Sequence, residues 1–112
     1  MKVVFHLNSN DTGKQSETLG NIKNLREDET VDVEDIALVV NADAVDAVRN
    51  GSEAAEFLED FISEGVEVKA CSNSLDNREI GEEELLDGVE TVSSGVGEIA
   101  RLEDEGYQYI KP

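Results

Sequence analysis

Ile36-Ala37-Leu38-Val39-Val40 is an unbroken apolar run that gives way at once to the polar Asn41-Ala42-Asp43. A short β-rich run without polar alternation is the pattern of a strand buried on both faces, the strand type of parallel sheets covered by helices. With the alternating residues before it, Val31–Val40 reads as the second strand. Upstream, Lys2–Leu7 reads as the first strand and Asn8–Gly13 as a polar loop. Asp11 or Thr12 can cap a helix from there to about Arg26, with Leu19, Ile22 and Leu25 as its apolar stripe. Downstream, a short helix Ala44–Arg49 ends at Asn50-Gly51. Ser52 is then placed to cap a further helix, with Ala55, Leu58, Phe61 and Ile62 inward and Glu56, Glu59 and Asp60 outward. Val66–Cys71 is the third strand, and the polar stretch after it reads as a loop leading to a short acidic helix, Glu82–Leu86. Val89–Val92, a last helix carrying Ile99 and Leu102, and Tyr107–Ile110 complete the pattern. Strands that alternate with helices throughout imply an α/β domain with a parallel sheet, because parallel neighbours need crossovers.

The 112 residues are enough for one domain and one core. A single cysteine rules out an internal disulfide, and no segment approaches the length of a membrane span. The opening apolar run is too short for a signal peptide, so the cytoplasm is the expected location and no membrane partner is expected. The net charge of −18 is extreme for this size. Its acids are spread along the chain (Glu27-Asp28-Glu29, Glu59-Asp60, Glu82-Glu83-Glu84, Glu103-Asp104-Glu105) rather than gathered in one tail. That distribution fits a cytoplasm rich in salt better than an acidic docking surface, since molar salt shortens the Debye length to about 3 Å. Nucleic acid is disfavoured as a partner, because its phosphates would meet the same negative field.

Parallel strands gather their exits on one edge, where ligands of open α/β sheets bind. Asn8, Asn41, Cys71, Asn73 and Ser94 would meet there. Cys71 is the one strong nucleophile, but free cysteine also packs as a small hydrophobe, and the sequence leaves both readings open. The helix after Ser94 offers free N–H groups that can lower a thiol pKa or hold an anion, or Ser94 is a plain cap. His6, the only histidine, either packs in the sheet or at a subunit contact, or pairs with the thiol if within reach. Metal ligands are too few for a site, with one Cys and one His. Gly95-Val96-Gly97 lacks the spacing of a dinucleotide fingerprint, and no cofactor is indicated. Tyr107 and Tyr109 share one face of the last strand, over the core or an interface.

Phe5-His6-Leu7-Asn8, Gly20-Asn21-Ile22-Lys23-Asn24-Leu25, Ala70-Cys71-Ser72-Asn73-Ser74-Leu75, Ser94-Gly95-Val96-Gly97-Glu98-Ile99-Ala100-Arg101-Leu102 and Gly106-Tyr107-Gln108-Tyr109-Ile110-Lys111-Pro112 together resemble small proteins of the DsrE/DsrF-like family. The resemblance implies a three-layer α/β/α sandwich with a five-stranded, mainly parallel sheet, assembled as a homo-oligomer. Family members in sulfur oxidation and tRNA thiolation pass sulfur as a cysteine persulfide. By that analogy Cys71 would carry the persulfide, with Asn73 and Ser94 as flanking polar groups. No second cysteine is present to resolve it, so a donor or acceptor protein would bring its own thiol. A small-anion or nucleotide-binding module, and a purely structural subunit, are the alternatives.

Overall fold

Five parallel strands form one sheet in the computed structural model, which describes residues 1–112. They are β1 (Lys2–Leu7), β2 (Asp35–Val40), β3 (Glu67–Cys71), β4 (Glu90–Val92) and β5 (Tyr107–Ile110), in the order β4-β3-β2-β1-β5. The helices are α1 (Thr12–Glu27), α2 (Ala55–Ser63), α3 (Ser72–Asn77) and α4 (Gly95–Asp104), with 3-10 segments at Ala42–Val48 and Glu82–Glu84.

The order follows from crossover handedness. From β1 to β4 each strand is laid beside the last in one direction, so right-handed crossovers put α1, α2 and α3 on one face. The return from β4 to β5 runs the other way, and α4 must lie on the opposite face. Packing agrees. Leu19 and Ile22 of α1, Leu58 and Phe61 of α2 and Leu75 of α3 join a cluster of 23 buried residues with Val3, Phe5, Leu38, Val40 and Val68. Ile99 and Leu102 of α4 join Val4, Ala37 and Val39 in a cluster of only five. The first face therefore carries most of the hydrophobic stabilisation, and the α4 face has room for polar side chains.

Four local readings of the sequence are corrected. Strand two starts at Asp35, not Val31, because its ladder to β1 begins at Lys2↔Asp35. Before that point the segment is tied only to Met1, by Glu34 N–H donating to its C=O at 2.8 Å and its ammonium donating to Asp32 C=O at 2.8 Å and to Glu34 Oε1 at 3.1 Å. Ser52 does not cap α2; its hydroxyl donates to the Ala47 carbonyl at 2.6 Å, and the cap position falls at Ala54 without a side-chain bond. The expected helices at 44–49 and 82–86 are the two 3-10 segments. The polar residues after Cys71 are helical rather than a loop, since buried Leu75 fastens the turn to the core. Asp11 does cap α1, accepting from Lys14 N–H at 2.9 Å.

Candidate functional site

Cys71 is the last paired residue of β3, in register with Val92 of β4. The chain leaves β3 towards the face of α3 and leaves β4 towards the face of α4. Adjacent strands whose connections part to opposite faces create the crevice in which open α/β sheets bind ligands. Here that switch point lies between Cys71 and the Ser93-Ser94-Gly95 turn.

Both helices that start at the switch point act on the sulfur. Cys71 is the N-cap of α3, and its Sγ accepts from Ser74 N–H at 3.4 Å. Ser94 caps α4, its Oγ accepting from Gly97 N–H at 3.0 Å, and this fixes the first turn of α4 at the switch point beside Cys71. Cys71 is 4% exposed, and this burial alone pushes its thiol pKa up. Hydrogen bonds from the Ser74 side chain and from the backbone N–H groups of Ser74, Gly95 and Asn73 outweigh it, so the pKa falls below the ordinary thiol value. Gly95 comes so close to β2 that a Cβ there would lie 2.9 Å from Asn41 Cβ. Only glycine lets the α4 terminus sit this near the thiol.

Beyond Asn41 a polar row crosses the same face. His6 Nε2 lies 2.9 Å from Asn41 Oδ1, and His6 Nδ1 lies 2.7 Å from the Tyr109 hydroxyl. With Asn41 Oδ1 as acceptor, the imidazole proton is on Nε2 and Nδ1 accepts from Tyr109 O–H. Both ring nitrogens are thus engaged, and His6 does not pair with the thiol; it acts on the site through Asn41. Tyr109 holds the far end of the row from β5, while Tyr107 packs on the small apolar cluster. Asn8 stands apart at the β1 exit, its Oδ1 accepting from Lys111 Nζ at 3.3 Å. Asn73 contributes its backbone N–H, and its side chain is exposed.

Two features escaped the sequence reading. Ala42 has φ of 51°, left-handed for a residue with a Cβ, and its N–H donates to Ser74 Oγ at 2.7 Å. Below the thiol on the same face of β3, Lys69 is buried, its Nζ donating to buried Glu98 of α4 at 2.6 Å. Arg101 closes on the same carboxylate, with Nε to Oε1 at 3.0 Å. A lysine between Val68 and Ala70 in a buried strand was the available signal, because a buried ammonium needs a partner. The larger hollows lie elsewhere. A hollow of about 450 Å³ beside Leu19, Lys23, Phe57 and Phe61 faces the α1–α2 side, and one of about 320 Å³ near Arg26, Val33 and Val66 opens at the strand entrances.

Residues 1–112, the whole chain, match the DsrE/DsrF-like family. The chain belongs to this family. No curated protein matches it. A solved protein of unknown function from Methanobacterium thermoautotrophicum is 36% identical, with a TM-score of 0.92 over 99% of this chain and 98% of that one. The ychN protein from E. coli is 26% identical, with a TM-score of 0.85 over 100% and 99% of the two chains. A conserved protein of unknown function from Bacteroides thetaiotaomicron shares the fold at 15% identity, with a TM-score of 0.74 over 99% of this chain and 94% of that one. These neighbours bear out the family resemblance and the α/β expectation, with a sheet that is wholly parallel. No helix is long and apolar enough to cross a membrane.

Proposed function

We propose that the protein is a sulfur carrier that holds a persulfide on Cys71. The observation that carries this reading is the thiol at the switch point, where Cys71 caps α3, its Sγ accepts from Ser74 N–H at 3.4 Å, and its pKa is held below the ordinary thiol value. Loading begins when the Cys71 thiolate attacks the outer sulfur of a donor persulfide. The donor's S–S bond breaks, the donor departs as a thiolate, and Cys71 is left as –S–SH with no net oxidation. Unloading is the reverse, with an acceptor thiolate attacking the outer sulfur and Cys71 leaving as thiolate. The lowered pKa serves unloading too, since a leaving thiolate of lower pKa departs faster. With one cysteine in the chain, donor and acceptor thiols come from partner molecules.

The remaining expectations fit around this step. The −18 charge opposes another anion, and a salt-rich cytoplasm would screen the distant acids while leaving the short hydrogen bonds at Cys71 intact. A closed homo-oligomer would cover exposed Tyr109 and Ile110 on the β5 edge. One observation favours a competing reading: at 4% exposure Cys71 could be a packed core residue. Iodoacetamide near pH 7 separates the two. The carrier reading requires alkylation of the folded protein, and a thiol that reacts only after unfolding removes it.

A further inference from the structure

On the face of the sheet opposite α4, a furrow separates α1 from α2. Its main hollow, about 450 Å³, is lined by Leu19 and Phe61, and a second of about 150 Å³ continues it past Ser16 and Phe57. Three residues along it have no purpose within a single chain. Phe57 stands on the wall of both hollows with 60% of its surface in water. Gly20 lies in the middle of α1, where glycine is the poorest helix former after proline, yet a Cβ there would meet nothing within 4 Å. Lys23, also on the main hollow, is the one cation of nine that makes no ion pair, hydrogen bond or ring contact.

A second copy of the chain supplies what each of them lacks. Both helices run back against a parallel sheet, so they are parallel to each other, and the Arg26–Glu64 ion pair at 2.8 Å sets their register. Counted back from that pair, Lys23 is level with Asp60 and Phe61, and Gly20 with Phe57 and Leu58. A two-fold axis laid along the furrow therefore brings α1 of each copy against α2 of the other at matching heights. Phe57 of one copy then comes over Gly20 of the other, where the missing side chain leaves room for its ring. Lys23 meets Asp60, a carboxylate on the same hollow that has no cation of its own. A projection, a gap and two opposite charges on one patch are the self-complementarity that an isologous contact requires. We propose that the α1–α2 face is a two-fold interface between copies of this chain, with Phe57 of each seated over Gly20 of the other and Lys23 facing Asp60. It lies apart from the β5 edge and on the far side of the sheet from Lys69 and α4, so it stands whether or not Cys71 carries sulfur.

The test is sedimentation velocity of the full chain in molar potassium chloride over a dilution series. Wild type should run at twice the 12.2 kDa chain mass, or at an even multiple of it if the β5 edge also pairs. Gly20→Gln puts a good helix former where the single chain has open space, so α1 should hold, which circular dichroism checks, while the mass should halve. Phe57→Ser removes the projection and should halve it as well. Lys23→Asp sets like charges face to face and should weaken association about tenfold, and adding Asp60→Lys should restore it. A wild type of 12.2 kDa alone overturns the proposal and leaves the furrow to a different partner. Folded Gly20→Gln and Phe57→Ser variants that keep the wild-type mass overturn it too, and leave the β5 edge as the contact. A charge swap that fails to restore association overturns the Lys23–Asp60 pairing and the axis that requires it.

Discussion

Glu98→Ala removes the acceptor that holds Lys69 in the sheet. The Lys69 side chain is 6% exposed and that of Glu98 8%, with 2.6 Å between the charged atoms. After the substitution the nearest carboxylate to the ammonium is that of exposed Glu90, at 4.0 Å in the native structure. Stranding one charge of a buried pair costs about 3 kcal/mol or more. For a domain of this size roughly 4 °C of melting temperature accompanies each kcal/mol, so a fall of about 12 °C is expected. Thermal unfolding in molar potassium chloride is the assay, so that long-range repulsion does not dominate. The pH dependence has a definite sign. The Arg101 hydrogen bond, followed by that of Lys69, holds the Glu98 carboxyl below its ordinary value despite burial. Its contribution is present above the unfolded carboxylate range and lost as pH falls through the lower native value, so the wild-type and variant curves should converge in acid. Replacing both partners by Lys69→Met and Glu98→Leu should recover most of the loss. A Glu98→Ala variant that melts within about 3 °C of wild type would refute the reasoning, because that is under 1 kcal/mol.

Gly95→Ala would place a Cβ 2.9 Å from Asn41 Cβ. Overpacking of this kind should cost about 1–3 kcal/mol and push the α4 terminus away from β2, and the Cys71 pKa, read from alkylation rate against pH, should rise. With −18 charges on 112 residues, the melting temperature of wild type should climb steeply between dilute buffer and molar potassium chloride. Near-constant stability across that range would point back to an acidic docking surface. Sedimentation in high salt should show a symmetric homo-oligomer, and a species of 12.2 kDa alone would exclude it.

The buried strands were legible because Ile36–Val40 is an unbroken apolar run and Val66–Cys71 alternates, and strand–helix alternation then leaves little choice but a parallel sheet. Strand order was not legible. It depends on which face each crossover takes, and only the packing of α4 on Val4, Ala37 and Val39 decides that. At the site, Cys71, Asn41 and Ser94 could be named from their places at strand exits. Their contacts could not, because the stagger of neighbouring strands puts Asn41 between His6 and Gly95 without any local sequence mark. Ser72-Asn73-Ser74 reads as a loop by composition, yet polar residues are equally at home in a first helical turn. Ser74 and Ala42 meet across 32 positions of sequence, beyond the reach of any periodicity.

The central claim is a persulfide on Cys71, and intact mass tests it most directly. Folded wild type and Cys71→Ser are incubated with a small persulfide donor in molar salt, freed of reagent and weighed. The account predicts a gain of ~32 Da, one sulfur atom, on wild type alone, reversed by a thiol acceptor. Wild type that stays at its original mass while folded, or a Cys71→Ser variant that gains the same sulfur, would contradict it.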